Sequence, residues 1–314
     1  MTIHELKSRL KIPVIVSPMF LVSGTELVIE CCKNGVLGTF PSLNGRTAED
    51  FETMLMEITH QLDLYEKETN TTPAPFGVNL IVNKTNNRLQ TDLALCVKYK
   101  VPLVITSLGA VKDVVDAVHS YGGLVFHDVI KKRHAQKALE AGVDGLIAVC
   151  AGAGGHAGTA NPFALSAELL SLSPPSMVLA GSINSGRDIV AEQILGADFA
   201  YMGTRFIATH ESLANQDYKN CLINSTLHDI VYTDTVSGVY ANFIEKSIKA
   251  HQVDLSLHSK EKLEQKLKSN EEKAWKDIWS AGHGVSNIKS ILSVKNLIND
   301  LNNEYLQTLR KSVK

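Results

Sequence analysis

GLIAVCAGAGGHAG, residues 145–158, runs without a break from an apolar stretch into a loop that sets four glycines around His156. Gly145 to Cys150 is short and apolar, the composition of a strand buried on both faces. Glycine lacks side-chain bulk and reaches positive φ, so the backbone of Gly152–Gly158 can approach a ligand closely. His156 titrates near neutrality and can donate or accept a proton there. A flexible surface loop with an idle histidine is the plainer alternative. A glycine-rich loop at the exit of a buried strand favours a site, because α/β proteins build theirs at such junctions.

On either side the chain repeats one unit, a short apolar strand followed by a helix. Before the loop the strands lie at 12–19, 36–41, 76–81, 102–107 and 124–129. The helices between them run from Thr25 to Gly35, Thr47 to Glu68, Asn86 to Lys100, Val111 to Tyr121 and Lys131 to Ala141. After the loop come a helix from Phe163 to Leu172, a strand Met177–Ala180, a helix Arg187–Leu195 and a strand Phe199–Gly203. Phe51, Leu55, Ile58 and Leu62 are three or four apart and share a helix face. Thr47 with Asp50 reads as a capping box, and Thr25 as the cap of its own helix. Eight strands alternating with helices is the period of an α/β fold of the (β/α)8 TIM-barrel type. A doubly wound sheet carries its phosphate turn after the first strand, and no G-x-G-x-x-G stands there.

The 314 residues are 44% hydrophobic and 20% charged, enough for a large core. With 31 basic and 33 acidic residues the net charge is −2, which offers no attraction to nucleic acid or an anionic membrane. Cys31, Cys32, Cys96, Cys150 and Cys221 form no C-x-x-C, so they read as reduced thiols of an intracellular, cytoplasmic protein. No His/Cys cluster has metal-ligand spacing. Lys7, Arg9 and Lys11 before the apolar run 12–22 outline a signal peptide, but Pro13 and Pro18 interrupt it and no A-x-A follows. It reads as the first strand instead. No run nears the ~20 apolar residues of a membrane span. Beyond Arg205 the alternation stops. Residues 1–210 read as the barrel and 211–277 as a helical cap or insert. Within the insert, Glu211–Ser225 is helical, 230–244 irregular with β-like pieces, and 251–277 a solvated Lys/Glu-rich helix. Residues 278–314 read as a loop and a helix, beginning near Asn287, that return to the barrel.

In such a barrel the loops after the strands form the active face. The strand ends nominate Ser17, Pro18, Met19, Asn79, Thr106, Ser107, His127, Asp128, Gly154, Gly155 and His156. Gly181-Ser182 and Gly203-Thr204 close the seventh and eighth strands, the usual phosphate position. Their amides and two hydroxyls suit phosphate oxygens. Either could be a plain tight turn; both together favour a phosphate site. Asn79, if buried, needs a partner, either a ligand edge or neighbouring backbone. His127 faces a ligand or is a core histidine bonded to a carbonyl. His134 reads as structural, and His283, between Gly282 and Gly284, approaches the site.

These residues resemble the nitronate monooxygenases, formerly 2-nitropropane dioxygenases, which are FMN-dependent TIM-barrel flavoproteins. The likeness covers nearly the whole chain. It rests on Pro13–Met19, Phe76–Leu80, His127–Val129 with His134-Ala135, residues 137–145, Gly152–Gly158, residues 196–206, Ile230–Thr233 and Trp279 through Gly284. The resemblance implies FMN with its phosphate on Gly181, Ser182, Gly203 and Thr204. It implies isoalloxazine contacts from Pro18, Met19 and Asn79, and His156 as the catalytic histidine. Ser17, His127, Gly154 and Gly155 are assigned to the cofactor's surroundings, His283 and Gly284 to the substrate pocket. The implied reaction oxidises an alkyl nitronate with O2 to a carbonyl compound and nitrite. The family often has Gly where Ser182 stands and Gln where His283 stands, sometimes Ser at Gly284, and in some members Lys at Asp128. Its relatives include flavin-dependent enoyl-acyl-carrier-protein and quinone reductases, so an NAD(P)H-dependent reductase is the alternative. A non-redox phosphate-binding lyase or isomerase is the second. The expected partners are the small-molecule substrate and O2, with no nucleic acid and no membrane; the oligomeric state stays open, a homodimer included.

Overall fold

Short apolar runs buried on both faces have no way to satisfy their backbone except by pairing with each other. In the computed structural model they do so around a ring; the structure describes residues 1–83, 86–107, 109, 111–253 and 277–312. The chain begins with α1 (Ile3–Ser8), β1 (Val14–Val16), α2 (Thr25–Lys33), β2 (Thr39–Pro41), α3 (Ala48–Thr69) and β3 (Gly77–Ile81). It continues with α4 (Leu89–Lys98), β4 (Leu103–Ser107), α5 (Lys112–His119), β5 (Leu124–Val129), α6 (Lys132–Glu140) and β6 (Gly145–Val149). β7 (Gly155–His156) breaks the alternation, and α7 (Pro162–Leu170), β8 (Met177–Ala180), α8 (Gly186–Ile194) and β9 (Phe199–Met202) complete the round.

The main sheet has 8 parallel strands in the order β1-β9-β8-β6-β5-β4-β3-β2. Leu37, just ahead of β2, closes the ring: Val16 N–H donates to its carbonyl at 2.8 Å and its N–H to Val14 O at 3.1 Å. This is a TIM barrel. Strand residues alternate between two apolar sets. Leu103, Ile105, Leu124, Phe126, Ile147, Val178 and Phe199 fill the interior, where the Phe126 and Phe199 rings lie 6.2 Å apart. Val104, Val125, Leu146 and Ala148 face outward, under the helices. Leu6 of α1 joins the interior set, so α1 stoppers the end away from the strand exits.

Beyond β9 come α9 (Thr204–Ile207), α10 (Gln216–Ile223), β10 (Ile230–Thr233), β11 (Ala241–Ile244), α11 (Glu245–Ala250) and α12 (Val294–Ser312). The stretch read as irregular is an antiparallel pair, β10 with β11, and β7 adds to its edge. The helix expected over Glu211–Ser225 is shorter, because Asn215 caps it by accepting from Tyr218 N–H at 2.8 Å. The last helix starts at Val294 rather than near Asn287, since 283–287 forms a 3-10 turn. The Glu211 carboxylate accepts from the Val294 amide and so stands at the positive end of α12. The Thr47–Asp50 capping box is present. Thr25 is not a cap: Gly24 occupies that position and Thr25 is the first helical residue. Of the Lys/Glu-rich stretch, residues 254–276 lie outside the described residues. All five cysteines are free thiols. Among the described residues no helix is long and apolar enough to cross a membrane.

The Phe126–Phe199 contact is the centre of the interior. Phe126→Ala is expected to lower unfolding stability by about 3–5 kcal/mol, read from urea denaturation followed by circular dichroism. A loss under about 1 kcal/mol would show that the barrel is filled from elsewhere.

Candidate active site

Glycine-rich segments interlock at the strand exits. The Gly152 carbonyl, in the loop after β6, accepts from Ser182 N–H at 3.3 Å and from His283 N–H at 2.9 Å. Gly282 N–H donates to Thr204 Oγ1 at 2.9 Å. A Cβ on Gly282 would lie 2.6 Å from Gly152 O, and one on Gly154 would lie 3.0 Å from Gly282 N. Gly154 is exposed, and a Cβ there would also crowd Thr204 and Ala281–Gly282, so its bareness serves packing as well as access to the loop. Gly155 is different: its φ is +69° and a Cβ there would meet nothing within 4 Å. Gly284 packs equally tightly, because a Cβ would overlap Asn184 Nδ2.

His156 stands on β7, directly opposite Ala241, with Gly155 opposite Asn242. Asn242 Nδ2 donates to Ala153 O at 2.7 Å and Tyr232 OH to Ala157 O at 2.9 Å. The loop is thus held as a strand of a small sheet, which fixes the histidine's backbone. The ring keeps solvent access, yet burial holds its pKa below the ordinary 6.5, so it is neutral near pH 7. Burial lowers His283 in the same way. His283 Nδ1 would lie 3.0 Å from a Cβ on Gly152, which puts that ring against the same loop.

The exit of β1 carries Ser17, Pro18 and Met19. Ser17 Oγ lies against Gly203, where a Cβ would come within 2.5 Å of it. The following loop is held by Asn44, which the sequence reading missed. Asn44 Oδ1 accepts from Leu21 N–H at 2.9 Å, and its Nδ2 donates to Met19 O at 3.1 Å and Ser23 O at 2.8 Å. These bonds hold Leu21 at φ +60°, a costly conformation for a branched side chain. An Asn in a turn was the only available signal, and it does not say which loop the side chain reaches.

The amide nitrogen of Asn79 is engaged within the protein: its Nδ2 donates to Ile105 O at 3.3 Å and to Ser107 Oγ at 3.0 Å. Ser107 in turn donates to Asp128 Oδ2. His127 is on the outer face of β5 with Val125 and Val129, where it shares a 2.8 Å hydrogen bond with Thr106. Burial first, then the charge of His134, pushes it down to about 4. Its ring points toward the helices rather than the mouth, so the structure does not bring it together with His156. Gly181 has φ +140° and Ser182 φ +63°, and the Ser182 amide is already spent on Gly152. What the two turns still offer is backbone bare of side chains at Gly181 and Gly203, and the hydroxyls of the exposed Ser182 and of Thr204. Asp128 Oδ1 and Tyr201 OH are buried without a partner. A cofactor with an anionic tail and a hydrogen-bonding ring fits this donor set.

A closed parallel barrel with a histidine-bearing glycine loop at its mouth is the architecture of a TIM-barrel enzyme. The nitronate monooxygenase family model matches residues 3–304, so the chain belongs to that family. A probable nitronate monooxygenase of Staphylococcus saprophyticus is 29% identical over 280 residues, 75% of this chain and 76% of the relative. A probable nitronate monooxygenase of Staphylococcus haemolyticus is 29% identical over 222 residues, 64% of this chain and 62% of the relative. A hydroxy-methyl-oxo-octahydroindene-carboxyl-CoA dehydrogenase of Rhodococcus jostii is 26% identical over 227 residues, 72% of this chain. The chain spans 61% and 62% of the length of these last two relatives. Among solved structures, FabK from Thermotoga maritima superposes with a TM-score of 0.82 at 24% identity, covering 99% of this chain and 97% of that one. A nitroalkane oxidase from Streptomyces ansochromogenes gives 0.80 at 21%, covering 99% and 100%. At these identities they share the fold.

Gly282 has φ −84°, open to any residue, so a methyl group there tests the interlock by steric means alone. Gly282→Ala is expected to cost about 1–3 kcal/mol and to raise amide exchange at Gly152–Gly155 while α3 stays protected. Unchanged exchange in that loop would show that the segments are not mutually held.

Proposed function

We propose that the chain binds FMN and oxidises alkyl nitronates with O2 to the carbonyl compound and nitrite. The observation that carries this reading is the family match, which spans both the His156 loop and the turns after β8 and β9. The flavin supplies the electron transfer; the protein supplies position and electrostatics. Gly181, Gly203 and the Ser182 and Thr204 hydroxyls would receive the phosphate, with the Ser182 amide already engaged by Gly152. Ser17, Pro18 and Met19, on the loop that Asn44 holds, would line the ring. His156 is neutral near pH 7 and carries one N–H. Toward a nitronate it donates that N–H to a nitro oxygen and holds the carbon in place. Toward a neutral nitroalkane its unprotonated ring nitrogen removes the α-proton as general base. A second reading is favoured by the Rhodococcus relative, whose name is that of a CoA-thioester dehydrogenase. On that reading the flavin exchanges electrons with a nicotinamide and a thioester.

Purified protein is expected to be yellow and to release FMN on denaturation. His156→Ala keeps the flavin, because the phosphate turns are elsewhere, and loses about 10²-fold or more in kcat/KM. His156→Asn regains part of the activity on nitronates and none on neutral nitroalkanes. Because burial lowers the His156 pKa, activity on neutral nitroalkanes falls only as pH drops below the usual histidine range. Wild-type turnover by a flavin-loaded His156→Ala would remove the histidine from the chemistry.

A further inference from the structure

Phe126 and Phe199 meet inside the barrel. Two residues further along the same strand faces stand Asp128 and Tyr201, one layer nearer the mouth. Each carries a buried polar atom with no partner, Oδ1 of the carboxyl and the phenol oxygen. The other carboxyl oxygen accepts from Ser107, which accepts from Asn79. A polar floor thus runs across β3, β4 and β5 and faces Tyr201 on β9. Leaving a buried carboxyl oxygen and a phenol unsatisfied is costly, and such atoms in a native site call for an explanation. Both lie in the layer directly under the opening, where a ligand's polar edge would satisfy them.

We propose that Asp128 lies against the polar ring of the bound flavin and that its charge sets how readily that flavin accepts electrons. This rests on the flavin reading above. Full reduction of the flavin adds two electrons, and with uptake of one proton the reduced ring carries one net negative charge. An ionised Asp128 opposes that charge, whereas a protonated Asp128 donates a hydrogen bond to it. Burial raises the Asp128 pKa to about 6, with the Ser107 bond opposing the rise, so the switch falls near neutral pH. The titratable group that faces it is Tyr201, held well above its ordinary value by burial and then by Asp128 itself. His127 and His134 lie on the outer face of β5 and on α6.

The test follows the reduction equilibrium of the FMN-loaded protein spectrally against a reference dye, from about pH 5 to 8. Because reduction takes up a proton, the flavin becomes harder to reduce as pH rises in every variant; the wild type is expected to add an inflection near pH 6, above which the fall steepens. Asp128→Asn keeps the Ser107 bond and loses the inflection. At pH 8 its equilibrium lies at least tenfold further toward reduced flavin, about 30 mV for a two-electron couple. Tyr201→Phe retains the inflection, because the charge remains. A wild-type equilibrium without the inflection, or Asp128→Asn within twofold of wild type at pH 8, overturns the proposal while flavin binding stands. Protein that takes up no FMN overturns the flavin reading and this proposal together.

Discussion

The carbonyl oxygen of Gly152 accepts amides from two other parts of the chain, and the mouth of the barrel takes its shape from that convergence. Ser182 reaches it from the exit of β8 and His283 from the segment before α12. The approach depends on bare backbone: a Cβ on Gly152 would strike Ser182 Oγ and the His283 ring, and one on Gly282 would strike the Gly152 carbonyl. β7 continues the same loop into the small sheet with β11, which places His156 at a fixed register. One bare backbone oxygen thus links the histidine loop, the seventh-strand turn of the barrel and the C-terminal segment. α12 extends the tie by packing along α8 and α2.

Inside the barrel the side chains change character along its axis. Leucine, isoleucine and phenylalanine fill the lower layers. Asn79, Ser107, Asp128 and Tyr201 take over toward the exits. The apolar layers provide stability, and the polar layer above them leaves hydrogen-bonding capacity unfilled. The two adjacent residues of β5 show how sharply strand alternation divides these roles. Asp128 faces the interior, whereas His127 is locked under the helices by Thr106 and kept neutral by burial.

The fold was legible because the barrel's strands are apolar runs punctuated at helical intervals, and every one of them appears within a few residues of its expected place. The capping box at Thr47 was legible for the same local reason. Side-chain direction was not. Whether His127 or Asp128 faces the mouth depends on register, which a run apolar on both faces does not reveal. Glycine roles were half legible: the sequence shows that Gly154 lacks a side chain, but not that Ala281–Gly282 fills the space. Asn44 acts on a loop more than twenty residues away, and no local pattern records such a reach. The start of α12 was misplaced because the 3-10 turn at 283–287 is set by contacts with the Gly152 loop and Asn184 rather than by propensity.

The central claim is that the mouth built around Gly152 and His156 lets a nitronate deliver electrons to a bound flavin. An anaerobic titration of the FMN-loaded protein, first with propionate 3-nitronate and then with NADH, tests it most directly. The account predicts that the nitronate alone reduces the flavin, that readmitted O2 reoxidises it, and that nitrite accumulates over the cycle. Flavin that stays oxidised under nitronate and is bleached only by NADH would contradict the account.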